Sequence, residues 1–334
     1  MKRKIIAVFT LIVFLMSCLT YQKIYTAYAE TISIGKAECV MELNSRRVLY
    51  AREGDLRLPM ASTTKIITAI TVLEHCDNIQ EKVIIPSEAQ GVEGSSVFLK
   101  AGDEYSVEDL LYGLMLRSGN DCAVALGLYT APTIADFSAL MNQTAQRAGA
   151  LHTSLKNPHG LPCKEHYTTA FDLSCIACYA LKNSTFKKIV ATKYYEARHW
   201  KNKNKLLYLY DGGIGVKTGY TKEAGRCLVS AAQQNGMTLV ATLLNCSQTY
   251  ERSMQLFDDC FASFKIRNLL SIGDAFETSH GVGCVKEDFS YPMMDGEEEQ
   301  VEIRVIERRN REIIGQIEIY LAKRLLFSTN LYKL

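Results

Sequence analysis

Apolar residues recur at Ile66, Ile67, Ile70 and Leu73, close to helical spacing, directly after Pro59 and the hydroxyl run Ser62-Thr63-Thr64. This spacing predicts a buried helix over 62–75, opened by a hydroxyl able to cap its N-terminus. Two helical patterns run through 107–129 and are interrupted at Ser118-Gly119-Asn120, a break where polar side chains can face inward. Further helices are expected at 133–149 and 169–182. Elsewhere the period changes. Residues 38–51 read as two short strands around an Asn44-Ser45 turn, and between Gly215 and Asn245 two apolar runs flank Asn235-Gly236, a strong hairpin signal. Strands at both ends with helices between them predict an α+β fold, an antiparallel sheet backed by helices. After about Phe264 the composition shifts. V-E-I-R-V at 301–305 alternates, and 313–321 reads as another strand after an Arg309-Asn310 turn, so 266–334 is expected to form a small β-rich domain.

The first residues belong to none of this. Met1-Lys2-Arg3-Lys4 is a positive segment, an apolar stretch follows from Ile5 to about Leu19, and Ala27-Tyr28-Ala29 precedes Glu30. That is the layout of a secretory signal peptide over residues 1–29, cleaved after Ala29, which places the mature protein outside the cytoplasm, in the cell wall or secreted. Lipoprotein-type processing at Cys18 and an uncleaved anchor helix are the alternatives. The 334 residues suffice for one large domain or two, and 48% hydrophobic with 22% charged residues is ordinary for a globular chain. A net charge of +2 without a basic stripe argues against a nucleic-acid partner. Eleven cysteines show no regular framework; Cys175-Ile-Ala-Cys178 lacks a second pair or a histidine at zinc-ligand spacing, so most are read as small core residues.

Chemistry enters with three short motifs in order: Ser62-Thr-Thr-Lys65, Ser118-Gly-Asn120 and Lys217-Thr-Gly219. Each alone is common, and a capped helix, a helix connector and a strand end explain them singly. Together they are a signature of acyl-transfer serine enzymes. Ser62 and Lys65 share a helix face. A serine is a poor nucleophile until a base takes its proton, and a buried lysine beside a second cation, Lys217, is pushed toward the neutral amine that can do so. The Ser62 and Tyr220 backbone N–H groups are candidates for an oxyanion site, and Gly219 leaves room for a substrate backbone along its strand. Ser118 is a candidate proton relay, Asn120 a holder of Lys65 and of the substrate amide, and Lys217 with Thr218 a seat for a substrate carboxylate. Arg252 is a weaker candidate for that carboxylate, a structural arginine being the simpler reading. No metal or cofactor is needed.

From Glu38 to about Phe264 the chain resembles the serine-type D-alanyl-D-alanine carboxypeptidases, the low-molecular-mass penicillin-binding proteins. The resemblance lies in P-M-A-S-T-T-K-I-I-T-A (59–69), G-S-S-V-F-L-K-A-G-D (94–103), L-L-Y-G-L-M-L-R-S-G-N-D-C-A-V-A-L (110–126), N-P-H-G-L (157–161), H-Y-T-T-A-F-D-L (166–173) and G-V-K-T-G-Y-T-K-E-A-G-R-C-L-V-S-A-A (215–232). It implies a β-lactamase/transpeptidase-like catalytic domain over 30–265. It also implies an acyl-enzyme on Ser62 with peptidoglycan stem pentapeptides, release of the last D-alanine, and acylation of the same serine by penicillins and other β-lactams. The tail resembles the family's small β domain more weakly. The amphipathic membrane-anchoring helix common in the family is not visible, which leaves membrane attachment open. A β-lactamase shares the three motifs, but the glutamate loop that speeds deacylation in the commonest kind is missing: Glu165 is the candidate, followed by His-Tyr-Thr-Thr. A non-catalytic penicillin-binding sensor or wall protein is the remaining alternative, although no motif residue has been lost. His159 and His166 are read as hydrogen-bonding residues of their loop rather than as a base.

Overall fold

Strands β1 (Ala37–Glu42) and β2 (Val48–Arg52) open the fold as a hairpin, with Arg46 in the left-handed region at their turn. The computed structural model describes residues 32–308 and 312–334, so the signal segment 1–29, Cys18 and the Arg309-Asn310 turn lie outside the described residues. Helix α1 (Lys65–Glu74) follows a short 3-10 turn, Ala61–Thr64. Next come the small hairpin of β3 (Lys82–Ile84) and β4 (Glu104–Ser106), then α2 (Val107–Tyr112), α3 (Asn120–Thr130), α4 (Ile134–Arg147), α5 (Ala170–Leu181) and α6 (Ser184–Ala191). A second small hairpin, β5 (Tyr194–Tyr195) with β6 (Trp200–Lys201), and one turn of helix, α7 (Leu206–Leu209), lead to the long strands β7 (Gly213–Thr221), β8 (Gly225–Gln234) and β9 (Met237–Leu244). Asn235 and Gly236 both have positive φ, as a two-residue hairpin turn requires.

These strands join the first hairpin in an antiparallel sheet of order β2-β1-β9-β8-β7, which leaves β7, the strand carrying Lys217-Thr-Gly219, on a free edge. The central strand β9 is buried at every position, because the sheet is covered on both faces. The large core on one face is built from α1 to α6, with Ile66, Leu110, Leu126, Phe137 and Ile176 fully or almost fully buried. On the other face α8 (Thr249–Ser263) packs Leu256 and Phe257 against Val40, Leu239 and Leu243. The result is helices, sheet, helix in three layers, the α+β arrangement that the periodicities predict.

The hydroxyl cap expected for the first long helix is not made. Thr63 and Thr64 donate backward, to the carbonyls of Met60 at 2.6 Å and Ala61 at 2.8 Å, and neither α1 nor the turn before it has a side-chain cap. The turn bends the chain so that the hydroxyls meet carbonyls rather than free N–H groups. Elsewhere caps do form: Ser106 and Asp109 make a reciprocal capping box on α2, and Thr133 and Thr169 cap α4 and α5. Between α2 and α3, a π turn over Gly113–Arg117 ends on Ser118 in the left-handed region, which is the break read from Ser118-Gly119-Asn120.

After α8 the chain turns into β10 (Phe264–Leu270), β11 (Ala275–Thr278), β12 (Gly281–Cys284), β13 (Phe289–Met294), β14 (Val301–Glu307), β15 (Ile313–Leu321) and β16 (Arg324–Lys333). β10 pairs with β13, and the other five form a sheet of order β11-β12-β16-β15-β14 around a small core of Leu270, Ile314, Ile317 and Leu331.

Candidate active site

The 3-10 turn that precedes α1 packs against the free edge of β7, and the three motifs meet there. Gly219 makes the approach possible: a Cβ on it would stand 3.2 Å from the backbone nitrogens of Ser62 and Thr63. Gly160 performs the same service from the other side. Its φ is +86°, and a Cβ would fall 1.9 Å from the Ala61 carbonyl oxygen, so only glycine fits beside the residue preceding Ser62. Ala61 itself has φ +49°, a strained value for a residue with a Cβ. Three linked hydrogen bonds hold that turn. The Lys156 N–H donates to His166 Nδ1 at 3.0 Å, which places the ring proton on Nε2, and Nε2 lies 3.0 Å from Thr64 Oγ1, whose own proton goes to the Ala61 carbonyl. His166 thus belongs to the scaffold of the turn, in keeping with its reading as a loop residue.

Lys65 is completely buried as the first residue of α1. Its Nζ stands 3.0 Å from Ser62 Oγ, 2.6 Å from Asn120 Oδ1 and 2.8 Å from the His159 carbonyl oxygen. The Asn120 amide is oriented by its own NH₂ group, which donates to the Glu93 carbonyl at 2.5 Å, so Oδ1 faces the lysine. Two of the three partners are therefore pure acceptors. A neutral amine there must aim its two protons at Asn120 and His159, and its lone pair at Ser62. Burial, reinforced by the neighbouring charge of Lys217, holds the Lys65 pKa well below the ordinary lysine range. Lys217 is itself buried, donates to the Thr218 carbonyl at 2.8 Å, and has its pKa brought down to about 7, chiefly by burial and then by Lys203.

Ser62, Ser118, Thr218, Gly219 and Tyr220 line one cleft of about 500 Å³. Ser118 reaches it from the π turn; among the described residues its hydroxyl has no hydrogen-bond partner. All eight residues singled out from the three motifs are thus in or against one site. A serine beside a desolvated amine, at the free edge of a strand, is equipped to attack a carbonyl laid along that edge.

A family model described as D-alanyl-D-alanine carboxypeptidase, Peptidase_S11, matches residues 25–248. The chain belongs to this family. The D-alanyl-D-alanine carboxypeptidase DacF of Bacillus subtilis is 33% identical over 248 residues, covering 70% of this chain and 64% of that protein. The D-alanyl-D-alanine carboxypeptidase of Streptomyces sp. K15 is 39% identical over 219 residues, 59% of this chain and 75% of its own. The chain therefore spans just under two thirds of the Bacillus relative. Among solved structures, penicillin-binding protein 5 of Haemophilus influenzae superposes with a TM-score of 0.76 at 25% identity, over 90% of this chain and 96% of that one. The fold is that of the family.

Glu165 opens onto a neighbouring cavity with Arg57 and His166, not onto the Ser62 cleft, and pairs with Lys156 at 3.6 Å. The His159 ring accepts from the Leu161 N–H, and burial lowers its pKa to about 4. It is the His159 backbone carbonyl that touches Lys65, a role no side-chain motif announces. Arg252 is turned into the opposite face of the sheet, where it is paired with Glu38 at 2.8 Å. Asp121, also overlooked in the sequence, accepts from Ser96 Oγ and from the Val97 and Leu99 N–H groups, and so pins the loop that brings Ser95 to the cleft. The ten described cysteines are all free; Cys175 and Cys178 lie buried on α5, and no group of described residues is arranged to hold a metal ion.

Proposed function

We propose that this protein is an exported serine hydrolase that removes the terminal D-alanine from peptidoglycan stem pentapeptides through an acyl-enzyme on Ser62. Penicillins acylate the same serine. The observation that carries the reading is the three-way seat of Lys65, in which two fixed acceptors leave only the direction of Ser62 Oγ for the amine's lone pair.

The substrate backbone lies along β7, with the carbonyl of the penultimate D-alanine over Ser62. Ser62 Oγ attacks this carbon as its proton passes to Lys65 Nζ. The oxyanion accepts hydrogen bonds from the Ser62 and Tyr220 N–H groups. Collapse breaks the C–N bond, and the proton held on Lys65 reaches the leaving amine with Ser118 as relay. Water then attacks the ester, again with Lys65 as base, and frees the serine. Asn120 holds Lys65 throughout and presents its amide to the acyl chain, while Thr218 stands at the carboxylate end. The position of Glu165, outside the Ser62 cleft, favours this reading over a β-lactamase of the commonest kind, whose rapid deacylation uses a glutamate at the ester. Export rests on residues 1–29, and the tail from 266 is taken as a separate domain that positions the catalytic one at the wall.

Mass spectrometry of the mature protein with and without penicillin tests the assignment. One adduct on Ser62 is expected, together with an N-terminus at Glu30. An adduct on Ser95, Ser96 or Ser118, or none, overturns the mechanism.

A further inference from the structure

A substrate ending in a free carboxylate needs a cation at the far end of the cleft, and the two arginine or lysine groups first suggested by the sequence are poorly placed to supply one. Lys217 is almost fully buried, spends a proton on the Thr218 carbonyl, and carries only part of its charge near neutral pH, its pKa being brought down to about 7 by burial. Arg252 commits its guanidinium to Glu38, Tyr50 and Gln255 on the other face of the sheet.

Two other cations open onto the cleft. Arg226 stands on β8 directly across from Tyr220, one strand in from the edge, and Lys203 follows the β5–β6 hairpin, its backbone N–H bound to the Leu116 carbonyl beside the Ser118 turn. Both are exposed, and among the described residues neither side chain has a hydrogen-bonding or ion-pairing partner. The residues lining the cleft include these two cations and no carboxylate. Two unpaired cations on one cleft that no carboxylate lines make it a favourable place for an anion. The fork of an arginine matches a carboxylate with two parallel N–H bonds, which a lysine cannot do.

We propose that Arg226, seconded by Lys203, is the specificity residue that reads the free C-terminal carboxylate of the substrate, with the Thr218 hydroxyl as its neutral partner. This rests on the hydrolase reading above for the identity of the substrate, but not for the test. Ser62→Ala full-length protein, which cannot form the ester, is titrated calorimetrically at low salt with an N-acylated D-Ala-D-Ala peptide as the free acid and as the C-terminal amide. Arg226→Gln in that background is expected to weaken the free acid by about tenfold, the usual range for one charge-assisted contact discounted for exposure, and to leave the amide nearly unchanged. Arg226→Lys should recover part of the loss, Lys203→Gln should add a smaller one, and added salt should erode the preference for the acid.

Equal losses on acid and amide, or none, overturn the proposal. The hydrolase reading fails separately: if wild-type protein binds the acid but never releases D-alanine, the reaction is wrong while the carboxylate preference is still measured. If the free acid does not bind at all, both fall.

Discussion

On one face of the central sheet Arg252 is withdrawn from water beside a carboxylate; on the other Lys65 is withdrawn beside neutral acceptors only. Arg252 makes a two-pronged contact with the fully buried Glu38, and this pairing holds the guanidinium in its charged form. Lys65 has no carboxylate within hydrogen-bonding distance and a second amine nearby, so burial drives it toward neutrality. The same physical cost, desolvation of a cation, is met in one place by pairing and in the other by giving up the proton. A buried, paired charge reads as architecture and a buried, unpaired one as chemistry. Sequence spacing alone does not separate them, because both residues lie in helices with apolar neighbours.

The largest effect should come from the unpaired cation. Lys65→Ala and Lys65→Arg should each slow penicillin acylation by about a thousandfold, the order expected for loss of a general base, since neither offers a neutral amine. Stopped-flow acylation measures this, and near-normal acylation by the arginine variant would show that another group is the base. The paired cation should answer in stability instead. Arg252→Met leaves Glu38 buried and alone and should cost about 3–5 kcal/mol in urea unfolding, while the Glu38→Met/Arg252→Met double variant recovers most of it. A single-variant cost of a few tenths would break the comparison, since the pair would then not be holding α8 to β1.

pH sharpens the contrast further. On the proposed mechanism the neutral amine is the reactive form, so acylation should increase as pH rises through the Lys65 pKa, which burial and Lys217 hold low. Lys217 gives a matching stability signature. Its folded pKa of about 7 lies below the ordinary 10.5, so between these values the unfolded chain holds a proton that the folded chain does not. Stability should therefore fall as pH is lowered from 10.5 toward 7, with a slope of up to about 1.4 kcal/mol per pH unit from this one group. Lys217→Met should remove that part of the slope. An unchanged slope in chemical denaturation across this window would mean that Lys217 keeps its charge when folded.

Much of this site is legible in the sequence because the chemistry is carried by short motifs on regular elements. The spacing of Ser62 and Lys65, the break at Ser118, and the Asn235-Gly236 hairpin that aligns β8 and β9 all survive folding as read. Three features resist such reading. The Thr63 and Thr64 hydroxyls could point forward to cap or backward to carbonyls, and the choice depends on the bend at Ala61, set by Gly160 a hundred residues away. His159 acts through its backbone carbonyl, to which any side chain is silent. Arg226 looks like any solvated strand cation until the sheet order places it next to the edge that carries Lys217-Thr-Gly219.

The smallest expected effect concerns the join between the sheet that carries Lys217-Thr-Gly219 and the tail, where a third arginine is again met by a carboxylate. Arg47, at the turn between β1 and β2, lies with its guanidinium 5.2 Å from the ring centres of both Phe264 and Tyr291. It forks onto Glu297 at 2.6 and 2.8 Å and onto the Pro292 carbonyl at 2.6 Å. The pair is mostly buried but touches solvent, and Arg47 holds the Glu297 carboxyl below its usual range. Loss of this clasp should be felt by the tail and not by the acylation chemistry, because none of its residues lines the Ser62 cleft. Arg47→Ala is accordingly expected to raise hydrogen exchange across 264–334 by an amount equivalent to about 1–2 kcal/mol of local stability, with penicillin acylation unchanged. Glu297→Gln should do the same to a lesser degree, since the stacked rings remain. Acylation that falls in step with the loosened tail would mean that the two sheets act as one body, and the division of the chain near residue 265 would have to be abandoned.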